Sequence, residues 1–254
     1  MSFEAAAWRP GMLPVMLRPD ELQLGRGEPL EDTARVLSAY AAALVVRTFA
    51  QADLDALATA ASVPVINALT DEHHPCQALA DLLTLRDRFG GLEGLRIAYL
   101  GDGNNVAHSL IEAASLAGMR TMVATPRGFA PDLTVTAHAT FAARIHGGSV
   151  HVTDNPAVAV RGAHAVYTDV WVSMGQDAER AERLAALSPY RVDRTLMALA
   201  DPDAVFLHCL PAHRGEEVAA EVIDGAASAV WDQAANRLPT EQAVLHALIT
   251  GRWS

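Results

Sequence analysis

Five short apolar runs in this sequence end in residues able to bind anions, polarise carbonyls or move protons. Ala43–Val46 ends in Arg47. Thr70-Asp71-Glu72-His73-His74-Pro75-Cys76-Gln77 leads into a helical segment, and Arg96–Leu100 ends in Gly101-Asp102-Gly103-Asn104-Asn105. Ala165–Thr168 ends in Asp169-Val170-Trp171-Val172-Ser173-Met174-Gly175-Gln176. Ala204–Leu207 ends in His208-Cys209-Leu210-Pro211-Ala212-His213-Arg214-Gly215-Glu216-Glu217. A guanidinium fork grips two phosphate oxygens at once, and a histidine can stabilise charge growing on a carbonyl oxygen. A thiol set among His208, His213 and Arg214 can take or relay a proton once its pKa is shifted. Any single cluster is compatible with a capped loop; five at the same sheet edge suggest a site.

Two other chemistries compete for the same residues. Gly101-Asp102-Gly103 before a helix resembles the start of a dinucleotide fingerprint, but the third glycine is absent. The following strand ends in Thr125-Pro126-Arg127, where a ribose-binding acid would stand; Arg127 leaves a 2′-phosphate open. The structural alternative is a tight turn with Asn104 or Asn105 capping the helix. His73, His74, Cys76, His208, Cys209 and His213 invite a zinc reading, yet they lack paired Cys-x-x-Cys spacing. Pro75 opens a helix that swings Cys76 away from His74, so hydrogen-bonding histidines and a Cys76 in the core are the favoured reading.

The elements that must carry these clusters alternate along the chain. Strands are expected at Leu13–Leu17, Ala43–Arg47, Pro64–Ala68, Arg96–Leu100, Thr121–Thr125, Ser149–Thr153, Ala165–Thr168, Ala204–His208 and Ala229–Trp231. Leu54, Leu57, Ala58 and Ala61 have helical spacing, as do Ile111, Ala114, Ser115 and Gly118. Pro29 with Glu31 and Asp32 starts a helix over Thr33–Tyr40, and a last helix is expected at Pro239–Thr250. This order predicts an α/β protein of two doubly wound parallel-sheet domains joined by a long helix. The expected division is 1–74 with 237–254 as one domain, 75–89 as the linking helix and 90–236 as the other.

Composition sets the outer limits. The 254 residues carry a net charge of −11, so long-range attraction to nucleic acid or anionic lipid is not expected. All 19 basic residues are arginine. Cys76 and Cys209 are too few for a disulfide framework and suit a reducing cytoplasm. The longest uncharged apolar stretches, such as Ala39–Val46, are too short for a membrane span.

In this order, Asp71 to Gln77, Gly101 to Asn105, Asp169 to Gly175 and His208 to Pro211 resemble the motifs of ornithine carbamoyltransferases. Leu22 to Glu28, Glu31 to Leu37 and Asn236-Arg237-Leu238 extend the likeness from about Ser2 to the C-terminus. The resemblance implies transfer of the carbamoyl group of carbamoyl phosphate to the δ-amine of L-ornithine, giving citrulline and phosphate. It implies a cytoplasmic homotrimer with active sites at subunit interfaces and no metal or organic cofactor. Arg47, with Gln23 reaching in from a neighbouring subunit, belongs by resemblance to the phosphate side; His74 and Gln77 hydrogen-bond the carbamoyl group. Leu210 and Arg237 complete the carbamoyl phosphate pocket. Asn105, Ser173 and Met174 hold the α-carboxylate and backbone of ornithine, Asp169 takes its α-ammonium, and Cys209 orients and deprotonates the δ-amine. A putrescine carbamoyltransferase would have little use for Asn105, Ser173 and Met174.

The family's principal phosphate loop, Ser-x-Arg-Thr-Arg, directly precedes a Val-Ser-Phe-Glu segment, and this chain begins Met1-Ser2-Phe3-Glu4. On sequence grounds the first domain is therefore expected to be incomplete and poorly stable, with weak or no transfer by these 254 residues. The favoured reading is an internal GTG codon taken as the start of a longer enzyme, because everything from Gln23 to Arg237 keeps its chemistry. The rival is a short chain acting as an amino-acid-binding pseudoenzyme or partner subunit.

Overall fold

The computed structural model describes residues 1–18, 21, 27–173 and 175–253. Packing divides the chain into two compact units, Met1–Cys76 with Arg237–Ser254, and Gln77–Asn236.

In the first unit the order is α1 (Ser2–Trp8), α2 (Leu30–Ser38), β1 (Leu44–Arg47), α3 (Gln51–Ala60) and β2 (Val65–Leu69). Pro29 caps α2 with φ −60°, and Glu31 and Asp32 in its first turn oppose the helix dipole. Strands β1 and β2 pair in parallel from Leu44↔Val65 to Val46↔Asn67, then slip so that Arg47 faces Leu69. Ala6, Ile66, Cys76 and Leu245 form the core of this unit.

Leu13–Leu17 is not a strand: the segment is irregular, with Leu13 and Val15 largely exposed. The alternation of apolar residues found no face to bury, and Pro14 in its middle has no N–H to give a ladder.

The second unit begins within α4 (Pro75–Phe89), followed by β3 (Arg96–Leu100), α5 (Asn105–Leu116), β4 (Arg120–Ala124), α6 (Leu133–Ile145), β5 (Ser149–Thr153) and α7 (Pro156–Val160). Then come β6 (Ala165–Thr168), α8 (Arg180–Leu187), α9 (Arg194–Met197), β7 (Val205–Leu207), α10 (Ala220–Ile223) and α11 (Val230–Thr250). The sheet is fully parallel in the order β5-β4-β3-β6-β7. Successive strand residues feed opposite faces: Ile97 and Tyr99 pack with Leu85, Leu110 and Ile111, while Ala98 and Leu100 pack with Val160, Phe206 and Ile223. The chain turns back past its starting strand between β3 and β6. At such a switch point diverging loops leave a crevice beyond the strand C-termini.

Two sequence expectations are corrected near the C-terminus. Ala229–Trp231 is not a strand: pairing with β7 stops at a single bridge, Phe206↔Ser228, and Val230 already opens α11. The last helix therefore starts at Val230, nine residues before Pro239, which sits inside it. A proline mid-helix removes one donor; ahead of it Gln233 and Asn236 donate to Asp81 and Thr84, which anchors that stretch of α11 to α4.

Candidate functional site

In the second unit, three strand ends converge on one carboxylate. Asn104 rather than Asn105 caps α5, its Oδ1 accepting from the amides of Val106 (3.0 Å) and Ala107 (3.2 Å) and from the Tyr99 hydroxyl (3.0 Å). That fixes the amide so that Nδ2 donates to Asp169 Oδ2 at 2.7 Å. The other oxygen of Asp169 accepts from the Cys209 thiol at 3.0 Å. Asp169 is only 6% exposed, so its charge rests on these donors rather than on water. Burial, reinforced by the charge of Asp169, holds the Tyr99 hydroxyl well above its usual range, so it stays a donor.

The backbone around Cys209 is held by a second chain of polar contacts. Leu210 has φ +59°, a conformation few non-glycine residues adopt. Its N–H donates to His208 Nδ1 at 2.9 Å. His208 must then carry its proton on Nε2, which lies 3.4 Å from the fully buried Glu217 carboxylate. Glu217 also accepts the His213 amide. His208 N–H donates to Gln233 Oε1 (2.9 Å), and Gln233 Nε2 reaches Asp81 (2.6 Å) and the Tyr167 hydroxyl (3.1 Å). Asp81 also takes Gln77 Nε2 at 2.8 Å, while Gln77 Oε1 is buried without a hydrogen-bond partner among the described residues.

A buried ion pair ties the neighbouring loops together. Arg183 bonds the Asp102 carboxylate, donates from Nε to the Trp171 carbonyl at 2.7 Å, and lies 5.1 Å from the Phe129 ring centroid. Burial raises the Asp102 pKa, and Arg183 opposes that rise. Half-buried Ser173 follows on this loop, its N–H bonded to Gln176 Oε1 at 3.0 Å. Asn105 stands half-buried in the first turn of α5.

Asp169, His208 and Cys209 offer ligand atoms within 4.8 Å of one another, as do His213, Glu216 and Glu217. Their hydrogen bonds suit proton handling: the thiol proton goes to Asp169, His208 Nδ1 receives Leu210, and Glu216 pairs with Arg180.

The first unit gathers cations around a histidine. Arg47 ends β1, exposed, at the register slip. The Thr70 amide bonds the His73 carbonyl at 2.8 Å, and the Thr70 hydroxyl bonds Gln51 at 2.8 Å, a turn that delivers His74 to the start of α4. Burial first, then the nearby Arg237 and Arg47 guanidiniums, push the His74 pKa down to about 4, so the ring is neutral at pH 7. Arg237 lies 3.8 Å from the buried Glu241 and 3.5 Å from Ser2 Oγ. Cys76 is a core thiol, bonded to the Asn67 carbonyl and pushed up to about 12, mainly by burial.

The structure thus joins Asp169 and Cys209 directly, with Leu210 next in the chain, and sets Arg47 and Arg237 close enough to His74 to disfavour its proton. Gln23 and Met174 lie outside the described residues. Sequence alone gives Asn104 no role beyond a cap, and none to Glu217 or Gln233. The one signal for Asn104 was the asparagine pair after Gly103.

Two family models match the chain: "Aspartate/ornithine carbamoyltransferase, carbamoyl-P binding domain" over residues 1–87, and "Aspartate/ornithine carbamoyltransferase, Asp/Orn binding domain" over 93–248. The ornithine carbamoyltransferase of Acidothermus cellulolyticus is 55% identical over 249 residues, 98% of this chain and 80% of that protein. That of Gloeobacter violaceus is 52% identical over 99% of this chain and 80% of its own length. Among solved structures, the ornithine carbamoyltransferase from Pyrococcus furiosus superposes with a TM-score of 0.95 at 48% identity, covering 99% of this chain and 80% of that one. The enzyme from Thermus thermophilus gives 0.88 at 44% identity, covering 98% and 80%.

Proposed function

The chain belongs to the aspartate/ornithine carbamoyltransferase family, and from that premise we propose how its residues divide the work of carbamoyl transfer to ornithine. The reaction joins the δ-nitrogen of L-ornithine to the carbamoyl carbon of carbamoyl phosphate, breaks the bond from that carbon to the phosphate oxygen, and releases citrulline and phosphate. We assign the carbamoyl phosphate work to residues 1–74 and 237–254, the link to 75–89 and the ornithine work to 90–236.

The observation that carries the assignment is the Cys209–Asp169–Asn104 hydrogen-bonded chain at the switch point. An amine attacks only when unprotonated, and its proton must leave as the new bond forms. Cys209 donates its own proton toward Asp169, which turns a sulfur lone pair outward to accept one from the δ-nitrogen; the Asp169 carboxylate then holds the relayed proton as the carbon–phosphate-oxygen bond breaks. The Glu217–His208 pair keeps Leu210 N–H occupied and so fixes the chain on either side of the sulfur. Asn105, Ser173 and Met174 hold the amino-acid end of ornithine.

On the other substrate, Arg47 and Arg237 bind phosphate oxygens, with Gln23 supplied by a second copy in a homotrimer. Neutral His74 donates an N–H to the carbamoyl oxygen, where negative charge grows during attack. Gln77 Oε1, buried without a hydrogen-bond partner among the described residues, is assigned to the carbamoyl NH₂, and the Leu210 carbonyl is assigned to carbamoyl phosphate by the family likeness. No helix among the described residues is long and apolar enough to cross a membrane.

Competition tests the ornithine-side assignment. With [¹³C]carbamoyl phosphate and equimolar L-ornithine and putrescine, label should enter citrulline almost exclusively. Equal labelling of both amines would remove the roles given to Asn105, Ser173 and Met174.

A further inference from the structure

At the opposite edge of the five-stranded sheet, we propose a second anion site, built from Arg96, Arg120 and Arg161, that takes a small phosphate-bearing dianion. It is independent of the catalytic assignment, since all three arginines stand at the N-terminal ends of strands or after α7, away from the loops that follow the strand C-termini.

Arg96 opens β3 and Arg120 opens β4, and their Cα atoms are direct partners in the parallel register. In-register neighbours project to the same face, so two positive side chains lie side by side, an arrangement that is unfavourable without a counter-charge. Arg161 follows α7 and lines the same cavity of about 230 Å³, with Ile97, Met122, Ser149, Val158 and Ala159. No carboxylate among the described residues lines it. None of the three arginines forms a carboxylate ion pair among the described residues, although the chain has 30 acidic residues to 19 basic ones. The position of a Cβ at Gly162 is 3.2 Å from Arg96 Nη1, so that guanidinium lies against the turn carrying Arg161.

Three guanidinium forks without carboxylates match the oxygens of a phosphate group. The Ser149 hydroxyl adds a neutral donor. Met122, Val158 and Ala159 form an apolar wall, and the volume holds free phosphate or one compact organic phosphate. The shared chemistry is the phosphate dianion; the wall is what would favour an organic source.

The test is a residue-resolved NMR titration of the ¹⁵N- and methyl-labelled full chain at low salt, with inorganic phosphate in one arm and adenosine monophosphate in the other. Saturable shifts of the Ile97, Ala159 and Gly162 amides are expected, separate from any shifts near Arg47. Arg120→Gln and Arg96→Gln should each weaken this binding about tenfold or more, the scale of losing one charge-assisted contact. All three arginines are exposed, so these variants keep the fold. Tighter binding of the nucleotide with shifts of the Met122 and Val158 methyls identifies an organic phosphate, and equal affinity identifies the free anion; both support the site. The absence of saturable shifts there into tens of millimolar, or an affinity unchanged by both substitutions, overturns it.

Discussion

His74→Asn should remove most of the acid sensitivity of the first unit. His74 is held neutral, with its pKa pushed from 6.5 to about 4 by burial and by Arg237 and Arg47. Below pH 6.5 the unfolded chain takes up a proton that the folded chain refuses, so the stability this histidine contributes is present above 6.5 and is lost as pH falls toward 4. Integrating that uptake gives a loss of roughly 2.5 kcal/mol by pH 4.5 and about 3 kcal/mol by pH 4. Glu241, whose pKa burial raises, works the other way and adds stability at low pH. The comparison with a non-titrating residue therefore matters more than the wild-type curve alone. Native-state hydrogen exchange of the β1 and β2 amides, followed between pH 4.5 and 7.5, reports the opening free energy of this unit directly. The wild-type protein should lose about 2.5 kcal/mol more than His74→Asn across that range. Parallel curves for the two proteins, or an imidazole titrating near 6.5 by NMR, would refute the reasoning and with it the neutral donor assigned to the carbamoyl oxygen.

Other consequences follow from the second unit. Gly103→Ala places a Cβ 2.2 Å from Pro131 N and 2.6 Å from the Ala130 carbonyl carbon, both backbone atoms; calorimetry should find it destabilised by roughly 2 kcal/mol or more, as for overpacked sites. Cys209→Ala leaves Asp169 without its thiol donor and should lower the rate of citrulline formation about a hundredfold or more, while Cys209→Ser retains a larger share. Arg183→Met leaves the half-buried Asp102 carboxylate without its ion-pair partner, a loss of about 3 kcal/mol in denaturant titrations, and Arg183→Met with Asp102→Leu should recover much of it.

The parts of this molecule legible in its sequence are those where one local pattern decides. Arg96–Leu100, Ser149–Thr153 and Ala165–Thr168 are legible at their observed bounds, because each is a short β-prone run with clear ends; the two central ones are also largely buried. Pro75–Phe89 was equally plain. Leu13–Leu17 and Ala229–Trp231 carry the same local pattern without a partner strand to complete it, which no single segment can reveal. Pro239 reads as a helix start because proline suits a first turn, while the anchors of the stretch before it, Gln233 to Asp81 and Asn236 to Thr84, join residues 152 apart and leave no local signal. The site divides the same way. Asp169, His74 and Cys209 stood out by type and position at strand ends. The Arg183–Asp102 pair spans 81 residues, and the His208–Glu217 pair depends on how one loop folds back, so neither shows as a spacing.

The central claim is that this protein moves a carbamoyl group onto ornithine through Cys209 and Asp169. The most direct measurement is simultaneous quantification of citrulline and phosphate from the purified protein with carbamoyl phosphate, with and without L-ornithine. The account predicts ornithine-dependent release of the two products in equal amounts, abolished together in Asp169→Asn. Phosphate released without citrulline, or citrulline formation unaffected by Asp169→Asn, would contradict it.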